Sequence, residues 1–114
     1  SQQQLDRVYV HRDLKDYIAS LCERTREYDK VLLGVSPRGA QSLLRASKGF
    51  AAIDGRVYVQ PDDIKRAAAP VLAHRLMLSS TARIKRGAAE SIIADILDRV
   101  PVPTERGLGY WQAK

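Results

Sequence analysis

The sequence predicts an all-α fold, a small bundle of about four helices with a minor short β element. Apolar residues recur at helical spacing in four separate stretches. With 114 residues, 45% of them hydrophobic, the chain is long enough to bury one core and too short for two. Two segments, 7–10 and 56–59, both read Arg-Val-Tyr-Val, a β-rich pattern that favours extended structure.

The first two helices are predicted from apolar stripes that end in clear stop signals. One stripe runs from Leu14 to Cys22 in steps of three and four residues and gives way to a charged stretch, 23–30. The second helix is predicted to begin at the N-cap residue Ser36 and to end at Gly55. Both stripes are expected to face the same core.

The third and fourth helices are predicted from the same kinds of signal, a helix-start pattern and an apolar stripe. Pro61 suits a first helical position, and Asp62 and Asp63 are predicted to be helix-start acids that complement the helix dipole, not metal ligands. Pro70 is expected to kink or split this helix. The fourth helix is predicted over 87–100, with its isoleucines facing inward.

A short β-strand and a flexible C-terminal tail are predicted outside the helices. Segment 75–78 is compatible with a β-strand and is expected to pair with one of the two Arg-Val-Tyr-Val segments. Residues 104–114, which include Tyr110 and Trp111, show no periodicity and are predicted to be a flexible tail. The folded domain is therefore expected to span residues 1–103.

Composition excludes several classes of protein. No apolar run approaches a membrane span and no signal-peptide pattern is present, so a cytoplasmic setting without membrane contact is expected. One cysteine, Cys22, and two histidines, His11 and His74, fall short of a zinc site, and both histidines are expected to be structural. The chain begins at Ser1 and not Met, as an excised piece of a longer protein would.

The charge balance points to an anionic partner. The 19 Lys plus Arg against 13 Asp plus Glu give a formal net charge of +6, and 13 of the 19 cations are arginine. Arginine favours bidentate contacts with phosphate or carboxylate. The cations are dispersed among acids, so a diffuse cationic surface remains the plainer interpretation. No phosphate-binding loop or nucleophile motif occurs, and the chain is not expected to be a complete enzyme.

One segment departs from the usual electrostatics of a helix start. Ser36 and Pro37 suit the N-cap and the first helical position, yet Arg38 then places a cation at the positive end of the dipole. Free N–H groups, a guanidinium and close backbone approach at Gly39 make a candidate site for a phosphate-like anion. The alternative is that Arg38 points to solvent or pairs with an aspartate.

Several motifs together resemble the C-terminal helical lid of MoxR-type AAA+ ATPases, close to their magnesium-chelatase branch. They are G-x-S-P-R opening a helix at Gly34, L-L-R-A-S-K from Leu43, D-G-R-x-Y-V-x-P-D-D from Asp54, and V-L-x-H-R-L from Val71. The flanking stretches, 10–21 and 92–103, resemble the outer helices of that lid.

The resemblance implies a role for Arg38 as the sensor 2 arginine, which contacts the γ-phosphate of ATP and moves the lid when that phosphate is lost. It also implies ATP and Mg²⁺ as cofactors of the full-length protein, a preceding nucleotide-binding domain, and a homo-oligomeric ring, a hexamer. A partner with a von Willebrand factor A domain is common in the family. Without the Walker motifs this chain is expected to be inactive alone and not to bind ATP tightly.

Three details depart from or qualify this pattern. The family usually has alanine at the position of Gly39, and glycine there weakens the helix by up to about 1 kcal/mol. Gly49, inside the same helix, is expected to allow close packing. Arg56 is expected to be solvated beside a helix stop at Asp54 and Gly55.

Two alternative functions stay open. A basic helical DNA-binding module would use arginines on phosphates, although the helices lack the compact spacing of a helix-turn-helix and nucleic acid is disfavoured. A helical adaptor without a nucleotide role would leave Arg38 as a surface residue.

Overall fold

The computed structural model describes residues 2–103, which form a helical bundle with a two-stranded antiparallel sheet. The helices in this part of the chain are α1 (Gln2–Asp6), α2 (Arg12–Glu27), α3 (Pro37–Ile53), α4 (Pro61–Leu72), α5 (Ser80–Arg83) and α6 (Ala88–Arg99). The strands are β1 (Val31–Leu33) and β2 (Met77–Leu78), and a 3-10 turn covers Ala73–Arg75. The all-α prediction is therefore confirmed. The predicted tail, 104–114, lies outside the described residues.

The four predicted helices correspond to α2, α3, α4 and α6. They share one core, because α3 packs along α4, α2 packs against α3, and α6 packs against both α4 and α2. The largest fully buried apolar side chains come from all four: Leu14, Leu21, Leu43, Ile64, Leu72 and Ile93. Pro70 does not split α4, which continues through it to Leu72 and ends in the 3-10 turn.

The extended segments pair differently from the prediction. Strand β2 pairs with β1, with Val31 opposite Leu78 and Leu33 opposite Met77. The expected pairing of 75–78 with an Arg-Val-Tyr-Val segment is therefore wrong. Those two segments instead meet each other through a parallel bridge between Tyr9 and Tyr58.

Helix caps account for where α2 begins and where α3 ends. The His11 ring caps α2, since its Nδ1 accepts a hydrogen bond from the Asp13 N–H at 3.0 Å, which fits the expected structural role. Helix α3 ends in a Schellman motif around Gly55, whose φ of 76° suits glycine. There the Arg56 N–H donates to the Ala51 carbonyl at 2.9 Å. The turn at Gly55 thus directs the chain back toward α4.

Within residues 2–103, none of the helices combines the length and the apolar character that crossing a bilayer requires. The surface nevertheless carries large exposed apolar side chains, which lie near the two ends of α3 and around the small sheet: Tyr9, Leu32, Leu33, Ile53, Val57, Met77 and Ile84.

Candidate functional site at the start of α3

The N-terminus of α3 forms as its sequence predicts. Ser36 is the N-cap, with an extended backbone (φ −79°, ψ 168°), and its Oγ accepts a hydrogen bond from the Gly39 N–H at 3.3 Å. Pro37 is the first helical residue and lacks an N–H, so no donor is lost there. The Ala40 N–H donates to the Ser36 carbonyl at 3.1 Å and starts the helical ladder. Ser36, Pro37, Arg38 and Gly39 thus occupy one turn.

Arg38 projects from this turn and is exposed to solvent. Within the described residues its side chain forms no hydrogen bond and no ion pair, so of the two alternatives a pairing with an aspartate is not observed there, and a side chain that points to solvent is. A neighbouring groove of about 280 Å³ along α3 is lined by Arg38, Arg45 and Lys48, together with Gln41 and Ser42. The first three turns of α3 therefore present cations to solvent.

The approach to α3 is held by the C-terminal part of α2. Thr25 is fully buried; its Oγ1 donates to the Cys22 carbonyl at 2.6 Å and accepts from the Val35 N–H at 2.9 Å. Arg26 donates through Nε to the Val35 carbonyl at 3.0 Å. A Cβ on Gly34 would lie 2.7 Å from the Arg26 backbone nitrogen, so only glycine fits. These contacts, which we name the α2 clamp, fix Ser36 and Arg38 relative to α2.

The presence of glycine at position 39 has a steric reason that the sequence does not reveal. A Cβ at this position would lie 2.5 Å from Cγ1 of Val35, a fully buried and rotationally restricted side chain. Glycine at this position lowers the helix propensity of α3, but it allows α3 to pack closely on the α2 clamp. Gly49 is the reverse case: nothing lies within 4 Å of a Cβ there, so the expected close packing is wrong.

A second arginine lies beside the same turn. The stem of Arg75 passes Gly39, since its Cδ is 3.3 Å from where a Gly39 Cβ would be. Its Nε donates to the Val71 carbonyl at 3.1 Å and its Nη2 to the Ser42 hydroxyl at 3.2 Å. Arg75 could not be assigned to this site from the sequence, because α3 and the 3-10 turn meet only in the folded chain.

Arg56 is not a solvated residue, contrary to the prediction. Its guanidinium makes a bidentate contact with Asp63, both distances being 2.7 Å, and Asp63 is only 1% exposed. Asp63 also accepts from the Gln60 N–H at 2.7 Å, so its carboxylate satisfies a backbone donor at the start of α4. Hydrogen bonding to Asp63 raises the pKa of Arg56, although burial opposes the shift. Asp63 is thus a helix-start acid, as predicted, that also anchors the turn after α3.

The charge of these residues suits the binding of an anion. In the described part of the chain, no three His, Cys, Asp or Glu side chains come together as a metal site would require. The Gly39 and Ala40 N–H groups are engaged by Ser36, so the expected set of free N–H groups is not observed, and Arg38 is the group of this turn that matches the charge of a phosphate oxygen.

Comparison with known proteins gives the family. A family model described as the AAA lid domain matches residues 23–96. The uncharacterized protein YeaC of Bacillus subtilis is 38% identical over 105 residues, which are 92% of this chain and 33% of that protein. Protein MoxR of Paracoccus denitrificans is 35% identical in a match that covers 79% of this chain and 31% of that protein.

A solved structure agrees with these sequence relatives. The crystal structure of a protein from Cytophaga hutchinsonii assigned as an ATPase superposes with a TM-score of 0.84 at 31% identity, over 90% of this chain and 34% of that one. The match thus spans about a third of the length of each of these three proteins. Since the family model covers more than half of the sequence, the chain belongs to the AAA lid domain family and is a lid of the type found in MoxR-like AAA+ ATPases.

Proposed function

We propose that this lid supplies Arg38 as the sensor 2 arginine of an ATPase, and that Arg38 contacts the γ-phosphate of ATP bound by a preceding nucleotide-binding domain. The observation that carries the proposal is an exposed guanidinium in the first turn of α3, with no acidic partner among residues 2–103. A cation held there without a counter-charge is available to an anion.

The α2 clamp supplies a physical route from the phosphate to the rest of the lid. Val35 is hydrogen-bonded to both Thr25 and Arg26, so α3 cannot tilt at its N-terminus without moving α2. Loss of the contact between Arg38 and the phosphate would therefore release the lid as one body and not as a single side chain.

Membership in this family supports further proposals for the intact protein. It uses ATP with Mg²⁺, the metal being held by acids outside this chain, and it works in the cytoplasm as a homo-oligomeric ring, a hexamer. The activity is ATP-driven remodelling or maturation of protein complexes, with a partner that carries a von Willebrand factor A domain. The chain alone neither hydrolyses ATP nor binds it tightly.

The test is the ATPase turnover of the full-length protein with Arg38→Ala. We expect turnover to fall at least about ten-fold, equivalent to about 1.4 kcal/mol in the barrier. Arg45→Ala is the matched control, because Arg45 is an exposed arginine on the same helix, about two turns further on. Circular dichroism first confirms that both variants are folded.

Two outcomes would contradict the proposal. If Arg38→Ala leaves turnover unchanged, the sensor assignment is wrong and the adaptor alternative is favoured. If Arg45→Ala lowers turnover as much as Arg38→Ala, the effect belongs to the general charge of α3 and not to Arg38.

A further inference from the structure

A second surface, on the side of the small sheet, is not used by the proposed nucleotide role. A cleft of about 510 Å³ runs between β2 and the loop that joins α5 to α6. Met77 and Leu78 line it on one side, which we call its floor, and Arg83, Lys85 and Arg86 line it on the other, which we call its rim. We name this the β2 cleft.

The floor of the β2 cleft continues into an exposed apolar surface. Met77, which lines the cleft, is 55% exposed, and its partner across the sheet, Leu33, is 63% exposed. Residues directly opposite in an antiparallel pair point to the same face, so their side chains adjoin. An apolar side chain of a partner would thus find contacts both in the cleft and beside it.

The rim of the β2 cleft carries excess positive charge. Arg83, Lys85 and Arg86 face one acid, Glu90, and within the described residues none of the three cations forms an ion pair. Arginines elsewhere do find acids, as Arg99 does with Asp95 at 3.0 Å. The three rim cations are therefore available to acids of another molecule.

We infer that the β2 cleft binds an extended acidic segment of another protein, with apolar side chains on the floor and carboxylates at the rim. Charge complementarity selects acids for the rim, and the apolar floor selects side chains of a peptide over a nucleic-acid backbone, which offers mainly polar contacts. The cleft follows a short strand, a setting in which extended peptides commonly dock. This inference does not depend on the sensor role of Arg38.

The test uses the 114-residue chain and a fluorescent peptide of alternating glutamate and leucine. Binding is measured by fluorescence anisotropy at physiological salt. We expect Lys85→Glu combined with Arg86→Glu to weaken binding at least about ten-fold. The matched control, Arg12→Glu with Lys15→Glu, changes the net charge equally on an exposed part of α2 and is expected to change affinity less than about two-fold.

A second variant distinguishes the apolar contribution to binding from the electrostatic one. It also keeps the test valid if the charge-reversal variant fails to fold. Met77→Ser should weaken binding of the glutamate–leucine peptide but leave polyglutamate binding unchanged. In an NMR titration the amide shifts should concentrate in 76–78 and 83–90.

Any of three results would overturn the inference. The first is no binding of the peptide by the unchanged chain; the second is equal loss in the two double variants. The third is tighter binding of duplex DNA or anionic vesicles than of the peptide, without effect of Met77→Ser.

Discussion

Replacing Asp63 by asparagine should destabilise the domain far more than the same change at its neighbour. The Asp63 carboxylate is 1% exposed and accepts three hydrogen bonds of 2.7 Å, two from the Arg56 guanidinium and one from the Gln60 N–H. Asparagine keeps one oxygen but turns an amide donor toward a guanidinium that only donates. Arg56 would then remain in place without its main counter-charge.

The structure sets the magnitude of this loss. Removing one partner of a buried ion pair costs about 3–5 kcal/mol. The Arg56 side chain is 18% exposed and retains Asp54 at 2.9 Å and the Tyr58 carbonyl at 3.2 Å, so the lower end applies. About 3 kcal/mol, at about 4–6 °C per kcal/mol for a domain of this size, lowers Tm by about 12–18 °C.

Urea unfolding followed by circular dichroism measures the effect directly. Asp62→Asn is the control, because Asp62 lies in the same first turn of α4 but is exposed. We expect it to change the free energy of unfolding by less than about 0.5 kcal/mol. The double variant Arg56→Met with Asp63→Leu should recover most of the loss, since no buried charge is left unpaired. If Asp63→Asn matched Asp62→Asn, the assignment of Asp63 as the anchor of this turn would be refuted.

Two further predictions concern glycines and a surface pair. Gly39→Ala should lower the free energy of unfolding by about 1–2 kcal/mol, because the clash with Val35 exceeds the gain in helix propensity. Gly49→Ala should raise it by up to about 1 kcal/mol, and the same sign at both sites would contradict the packing account. The Tyr28 hydroxyl donates to Asp95 at 2.6 Å and lowers the pKa of that carboxyl. This stabilisation is present above the carboxyl's ordinary pKa and is lost as pH falls through the lowered one. Tyr28→Phe should therefore raise the pKa of Asp95 in a carboxyl NMR titration, and an unchanged value would exclude the hydrogen bond as its cause.

The helices of the bundle could be predicted from the sequence because each carries its own periodic signal. Ser36 and Pro37 mark the start of α3 by local chemistry alone, and the structure places that start where they indicate. Helices α1 and α5 were not predicted, since five and four residues are too short for an apolar stripe. The pairing of β1 with β2 joins segments more than forty residues apart, which no local pattern specifies.

The candidate site was predictable only in part. An exposed cation in the first turn of α3 follows from the sequence, but its contact with a phosphate remains a prediction. Gly39 and Gly49 give the same signal, a glycine inside a helix, yet one is sterically required and the other is not. The partner of Arg56 lies on the next helix, so its burial depends on how α3 and α4 pack.

The parallel bridge between Tyr9 and Tyr58 bears on where this domain can be cut. The Tyr9 N–H donates to the Val57 carbonyl at 2.7 Å, and the flanking Val8 and Val10 are buried. The AAA lid family model matches the chain only from residue 23, inside α2. A fragment trimmed to that limit would lose this bridge and most of the buried face of α2, and the remaining core would lie open to water. A fragment that keeps this core covered therefore has to include both Arg-Val-Tyr-Val segments, and it extends beyond the residues that the family model matches.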